Sequence, residues 1–284
     1  MLDPAFVFSQ HSLSDLEDCP RRFYLAYIAC QAWPLIESGP TGMNALTYQA
    51  YLRRGALLHT WIERHWLGIE NQEPRVRSQE DKELAVWWSR FINTDFGDLP
   101  LQRLPELELI APIGAYRLYA RFDLLATDQS PISNLQSQPA VIVDWKTLRS
   151  ENPLPYRFFR DRLQTRAYLY VLATAGAPFN DGTVLEPEQC VMRYWLANFP
   201  ERPWVEITYS RAEYEQDKHR LLHLIESTAT RTDEELFNNP TTDEKKCTYC
   251  QYRTLCNRSG EAGVLMPDET TGLIDLVDIQ ELDY

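Results

Sequence analysis

The chain has 284 residues, 44% apolar and 12% aromatic, enough to bury one large core or two modest ones. No apolar run approaches the roughly 18 to 20 residues of a spanning helix, and the opening MLDPAFVFSQ lacks a basic signal-like stretch, so the expectation is a soluble, cytoplasmic protein with one main domain. A net charge of -13 argues against a uniformly basic face for a polyanion, but seven of the acidic side chains follow Arg258. Arg149, Arg157, Arg160, Arg162 and Arg166, by contrast, meet only Glu151 and Asp161 in the same stretch, which leaves room for a local positive groove.

In chain order, Ser14-Asp-Leu-Glu17 fits a capping box and predicts a helix running toward Cys30. Apolar spacing at Leu57, Leu58, Trp61, Ile62 and Trp66 predicts a helix over 51–67, and a third helix follows over 80–91. The texture then changes to strands at 104–110, 116–126 and 140–145, with a turn at Gly114 and a loop at 128–139. The third strand, a continuous Ala-Val-Ile-Val run, suits the centre of a sheet. A helix over 155–175, strands at 190–196 and 204–208, and an amphipathic helix over 211–228 complete the body. No internal repeat is present.

Asp144-x-Lys146 ends the apolar strand, and Asp123 lies near the end of the strand before it. Alternation projects Asp144 and Lys146 from one face. Two carboxylates can hold Mg²⁺ or Mn²⁺ through hard oxygens, and a lysine can orient or stabilise an attacking hydroxide, which is the chemistry of phosphodiester hydrolysis. D-x-K is short enough to arise by chance, so its order among other motifs matters.

Four pieces occur in series: Gly55-Ala-Leu-Leu-His59, Arg121-Phe-Asp123, Val143-Asp144-Trp145-Lys146-Thr147 and Gln164-x-x-x-Tyr168. Together they resemble the RecB-type branch of the PD-(D/E)xK nuclease superfamily, which includes CRISPR adaptation nucleases and the AddB nuclease subunit. The resemblance implies a mixed α/β, restriction-endonuclease-like core with a central mixed sheet flanked by helices. It makes His59, Asp123, Asp144 and the Trp145 carbonyl metal ligands, and assigns catalysis to Asp123, Asp144, Lys146, Gln164 and Tyr168. The family often carries Glu at the position of Asp144. The Trp145 side chain is expected on the opposite, buried face.

Six cysteines in such a chain read as metal chemistry or packing rather than disulfides. Cys247-x2-Cys250-x5-Cys256 has metal-ligand spacing, and Cys19, in Ser14-Asp-Leu-Glu-Asp-Cys19-Pro-Arg-Arg-Phe23, is the candidate fourth ligand. By resemblance the four hold a [4Fe-4S] cluster; structural zinc and plain apolar packing remain open on spacing alone. Cys30 and Cys190 are expected in the core, and His219 and His223 on a helix surface.

The resulting reading is a nuclease domain over 1–259, with cluster-binding segments at 14–30 and 240–258, a catalytic core at 50–230 and an acidic tail at 260–284. Its function is metal-dependent cleavage of DNA, exo- or endonucleolytic, on single strands or ends, in repair, recombination or CRISPR spacer processing. The alternative is a non-catalytic module binding DNA or a helicase around a structural metal cluster. DNA contacts are expected from Arg21, Arg22, Arg53, Arg54 and the 149–166 segment, with Tyr156, Phe158 and Phe159 either stacking on bases or packing as core residues of the helix start. No Walker A sequence occurs, so any helicase is a separate partner, as CRISPR adaptation proteins would be.

Overall fold

The computed structural model describes residues 2–3, 5–31, 45–69, 79–128, 139–148, 150, 152–247, 250–253 and 255–258. Residues 129–138 of the expected 128–139 loop, Arg149, Glu151 and the acidic tail at 260–284 lie outside these residues. The chain divides into two compact units, Met1–Leu52 with Leu222–Tyr284, and Arg53–Leu221.

The first unit opens with β1 (Val7–Ser9) and α1 (Gln10–Asp18). The helix starts earlier than the Ser14 capping box predicts. Ser9 accepts from the Ser12 amide at 3.2 Å and the Ser12 hydroxyl accepts from the Ser9 amide at 2.8 Å, a reciprocal box with Ser in place of Glu at its third position. The helix is also interrupted. Cys19 is extended (φ -162°, ψ 107°), as a residue before proline prefers, and Pro20 begins α2 (Pro20–Phe23) at the position where its missing N–H costs nothing. A π-helical turn, Tyr24–Ile28, follows. Phe8 and Phe23 stack with centroids 6.2 Å apart, anchoring the group.

The second unit carries the sheet. Most of α3 (Ala45–Trp66) and all of α4 (Gln79–Ile92) precede it. Leu58 and Ile62 are fully buried on α3, and Leu84, Trp87 and Phe91 on α4, at spacings that share one helix face; Leu57 is exposed. Next come β2 (Gln102–Ile113), β3 (Tyr116–Thr127) and β4 (Ala140–Lys146). Gly114, at φ 58°, makes the β2–β3 turn with a backbone that side chains disfavour. α5 (Tyr156–Arg160) and α6 (Leu163–Ala175) lead to β5 (Cys190–Leu196), β6 (Trp204–Thr208) and α7 (Arg211–Ala229). β4 and β5 pair in parallel, while β2–β3, β3–β4 and β5–β6 are antiparallel. The result is a mixed α/β fold whose central mixed sheet is flanked by helices.

Two local departures shape the site. The single helix expected over 155–175 breaks at Arg162, which is extended, and the Thr165 hydroxyl takes over the Phe159 carbonyl there. On β2, pairing runs Pro105↔Leu124 and Leu107↔Phe122, with Glu106 at φ 50° between them. A left-handed glutamate inside a strand costs on the order of 1 kcal/mol or more.

In the first unit's C-terminal part, Thr232 caps α8 (Asp233–Phe237) by accepting from the Glu235 amide at 3.2 Å. The described residues beyond it are mostly turns, with one short 3-10 helix, Glu244–Cys247.

Candidate active site

β3 and β4 pair through only three residues each, Leu124–Ala126 against Val141–Val143, whereas β4 stays paired with β5 as far as Lys146↔Leu196. Asp123 and Asp144 therefore stand one step past the last β3–β4 pair. Asp123 Oδ2 accepts from the Trp145 amide at 2.8 Å and lies 3.4 Å from His59 Nδ1. Asp144 is buried at 1% exposure; its Oδ1 accepts from Gln164 Nε2 at 2.9 Å, and its Oδ2 lies 3.1 Å from Lys146 Nζ. Residues from α3, β3, β4 and α6 thus converge.

The surrounding packing explains how. A Cβ added to Gly55 would lie 3.2 Å from the Thr147 hydroxyl, so glycine lets α3 come close to the end of β4 one turn before His59. Trp145 turns to the other face and buries its ring against Phe91, Phe96 and Trp195. α6 is buried from Leu163 to Ala173, which presents Gln164 to Asp144 from the helix's first turn. Tyr168, one turn on, sets its ring against Phe122 with centroids 5.2 Å apart.

The charges in this site are tightly coupled. Burial works against a charged His59 ring, but Asp123, its hydrogen bond and the field of Asp144 outweigh it and raise the imidazole to about 9. Burial and the neighbouring Asp123 carboxylate raise Glu106 to about 7, although Arg121 Nε lies 3.3 Å from it. Tyr194, opposite Asp144 on β5, has its phenol raised by burial and by that carboxylate; its hydroxyl is 2.6 Å from Thr165 Oγ1. Glu106, Thr165 and Tyr194 were not singled out by the sequence motifs. Nothing in an alternating strand distinguishes Glu106 from the exposed Glu108.

Among the described residues, no three His, Cys, Asp or Glu side chains form a ready-made metal centre. The donor types at the carboxylates nevertheless suit a hard divalent cation: two carboxylates with one imidazole beside them. A cation there would replace contacts now made by Lys146 and His59.

A family model described as the PD-(D/E)XK nuclease superfamily matches residues 7–257. The chain belongs to this superfamily. Its nucleases typically use Mg²⁺ or Mn²⁺. Among solved structures, SSO0001 is 17% identical, covering 90% of this chain and 88% of its own, at TM-score 0.42. A protein from Eubacterium rectale described as a candidate exonuclease is 10% identical, covering 84% and 85%, at TM-score 0.47. No curated protein matches.

In the first unit of this PD-(D/E)XK chain, Cys19, Cys247, Cys250 and Cys256 line one pocket, with Arg22, Lys246, Arg253 and Arg258 among their neighbours. The break at Cys19 turns its thiol toward the Thr241 amide, 3.3 Å away. Arg258 Nη1 donates to Cys247 Sγ at 3.1 Å and Arg21 Nη1 to Cys256 Sγ at 3.6 Å. Burial raises the Cys250 thiol to about 11, against the pull of Arg22. Cys190 is buried, but Cys30, expected in the core, is exposed at φ 46° beyond the π-helical turn.

Several arginines expected to face DNA are engaged within the nuclease itself. Arg22 pairs with Asp15 and Asp18, each at 2.7 Å, and Arg21 bonds the Phe237 carbonyl as well as Cys256. Arg54 pairs with Glu83 at 2.8 Å. Arg166 is buried against Asp217, which also accepts from the Tyr209 hydroxyl at 2.8 Å. Phe159 is fully buried, so it is core rather than a stacking platform, whereas Tyr156, Arg157 and Arg160 are exposed. His219 and His223 are exposed. Among the described residues no helix is long and apolar enough to cross a membrane.

Proposed function

We propose that this chain is a metal-dependent deoxyribonuclease acting on single strands or DNA ends, in repair, recombination or CRISPR spacer processing. The observation that carries the reading is the direct contact of His59 with Asp123, and of Lys146 and Gln164 with Asp144, where β3 and β4 part. A divalent cation held by Asp123, Asp144, His59 and the Trp145 carbonyl would supply charge neutralisation at the phosphate and a more acidic water. Lys146, on the same face as Asp144, orients the nucleophile and opposes the charge that develops on the phosphate. Gln164 fixes the Asp144 carboxylate, and Tyr168 braces α6 on Phe122 beside it.

Exposed Tyr156, Arg157 and Arg160 are suited to an incoming strand, the aromatic ring by stacking and the guanidiniums by phosphate contact. The four cysteines of the shared pocket hold a [4Fe-4S] cluster, with zinc as the competing occupant. The setting is cytoplasmic, with a separate helicase or CRISPR adaptation proteins as partners.

The test is an anaerobic preparation assayed for Mn²⁺-dependent degradation of single-stranded DNA beside Asp144→Ala and Asp144→Asn. Each variant is expected to lose a hundredfold or more of the rate, on the order of the several kcal/mol that metal assistance contributes, with circular dichroism unchanged. Equal degradation by the variants would remove the assigned site. Broad visible absorbance together with iron and sulfide analysis decides between cluster and zinc.

A further inference from the structure

The donors around the thiol pocket fit thiolates better than thiols. Three of its sulfurs have a donor of their own: the Thr241 amide is 3.3 Å from Cys19 Sγ, Arg258 Nη1 3.1 Å from Cys247 Sγ and Arg21 Nη1 3.6 Å from Cys256 Sγ. The fourth, Cys250, lies in the field of Arg22. Each guanidinium is also held from behind. Arg22 is fixed by Asp15 and Asp18 at 2.7 Å each, and Arg258 by the Thr241 carbonyl at 2.6 Å. Arg21 donates to the Phe237 carbonyl, with its guanidinium carbon 4.7 Å from the centre of the Phe237 ring.

Two further observations show that the neutral pocket leaves these groups underused. Arg22 Nε is buried and has no hydrogen-bond partner among the described residues, and a buried donor is costly to leave idle. Arg21 and Arg258 make no ion pair with a carboxylate among the described residues. A thiol is a weak acceptor that carries no charge to offset them, whereas a thiolate accepts strongly from a cation. Four thiolates around Zn²⁺ or a [4Fe-4S]²⁺ core leave a dianion in either case.

We propose that Arg21, Arg22 and Arg258 are the counter-cations of this pocket, stabilising the dianion and so setting metal affinity and, for an iron-sulfur occupant, reduction potential. The proposal rests on the cysteine-site reading above. The three are positioning residues, acting through the sulfurs.

The test uses the full chain, reconstituted anaerobically with iron and sulfide in one arm and loaded with Zn²⁺ in the other. The natural protein is compared with Cys250→Ser, Arg258→Gln, Arg258→Lys and Arg21→Gln. In the iron-sulfur arm the midpoint potential is read by electron paramagnetic resonance during dithionite titration. Loss of a cation disfavours the added electron, so Arg258→Gln should be reduced about tenfold less readily, a shift of about 59 mV to lower potential. In the zinc arm, competition with a chromophoric chelator should show about tenfold weaker binding. Arg21→Gln, with its longer contact, should move less in the same direction. Arg258→Lys, which keeps the charge, should recover most of the loss. If Arg258→Gln matches the natural protein in whichever form the natural protein takes up, the proposal is overturned. A loss that Arg258→Lys does not recover overturns it as well, leaving Arg258 as a brace on Thr241. If the natural chain takes up neither occupant better than Cys250→Ser, the cysteine-site reading falls and the proposal with it.

Discussion

In the unit formed by Arg53–Leu221 the buried charges come with partners from the chain itself: Asp144 with Lys146 and Gln164, Arg166 with Asp217 and Tyr209. In the unit built from the two chain ends, four thiols face one pocket amid short helices and turns, and guanidinium and amide donors reach three of the sulfurs. The first arrangement stands without any added group, because each buried charge has an opposite charge or hydrogen bond nearby. Among the described residues, the second has only short helices and turns around its thiols. A metal would therefore serve chemistry in one unit and cohesion in the other.

The largest expected effect tests the self-sufficiency of the sheet unit. Arg166→Ala leaves Asp217 buried without its guanidinium and should lower unfolding stability by about 3–5 kcal/mol in denaturant titration, with or without metal. Pairing it with Asp217→Leu should restore most of the loss. If Arg166→Ala is silent, the pairing is not what holds α6 to α7.

Next is the cysteine pocket. Cys250→Ser should lower metal content and reduce the stability of the terminal unit by about 3 kcal/mol, the contribution of a ligand present at a hundredfold its dissociation constant. The sheet unit should melt as before, as seen by hydrogen exchange. A variant silent in both metal content and exchange would leave the cysteines as packing residues.

The smallest effect concerns acidity. In the metal-free protein His59 titrates near 9 rather than at its ordinary 6.5, so it binds its proton more tightly folded than unfolded. Its contribution is complete below pH 6.5 and lost as pH rises through about 9. Melting temperature should fall modestly across that window, and His59→Gln should remove His59's share of the slope.

Most of the sheet was legible because strand alternation and the apolar 140–145 run are local signals, and the ordered motifs named residues that do touch one another. What escaped depends on distance or on backbone detail. Arg166 meets a partner 51 residues away and Arg21 one 216 residues away, so both looked like free cations in sequence. The Ser9 cap was hidden by a serine where a glutamate is usual, and Glu106 by a φ angle that residue type does not announce. The break in the 155–175 helix turns on one threonine hydroxyl bonding a carbonyl six residues back.

The division of the chain also has a consequence for synthesis. Residues 53–221 form one continuous unit, but the pocket waits for both ends. At roughly 5–20 residues per second, Cys247 leaves the ribosome about ten to fifty seconds after Cys19. The sheet can collapse within that interval, while Cys19 remains an unprotected thiol until Cys247, Cys250 and Cys256 follow it.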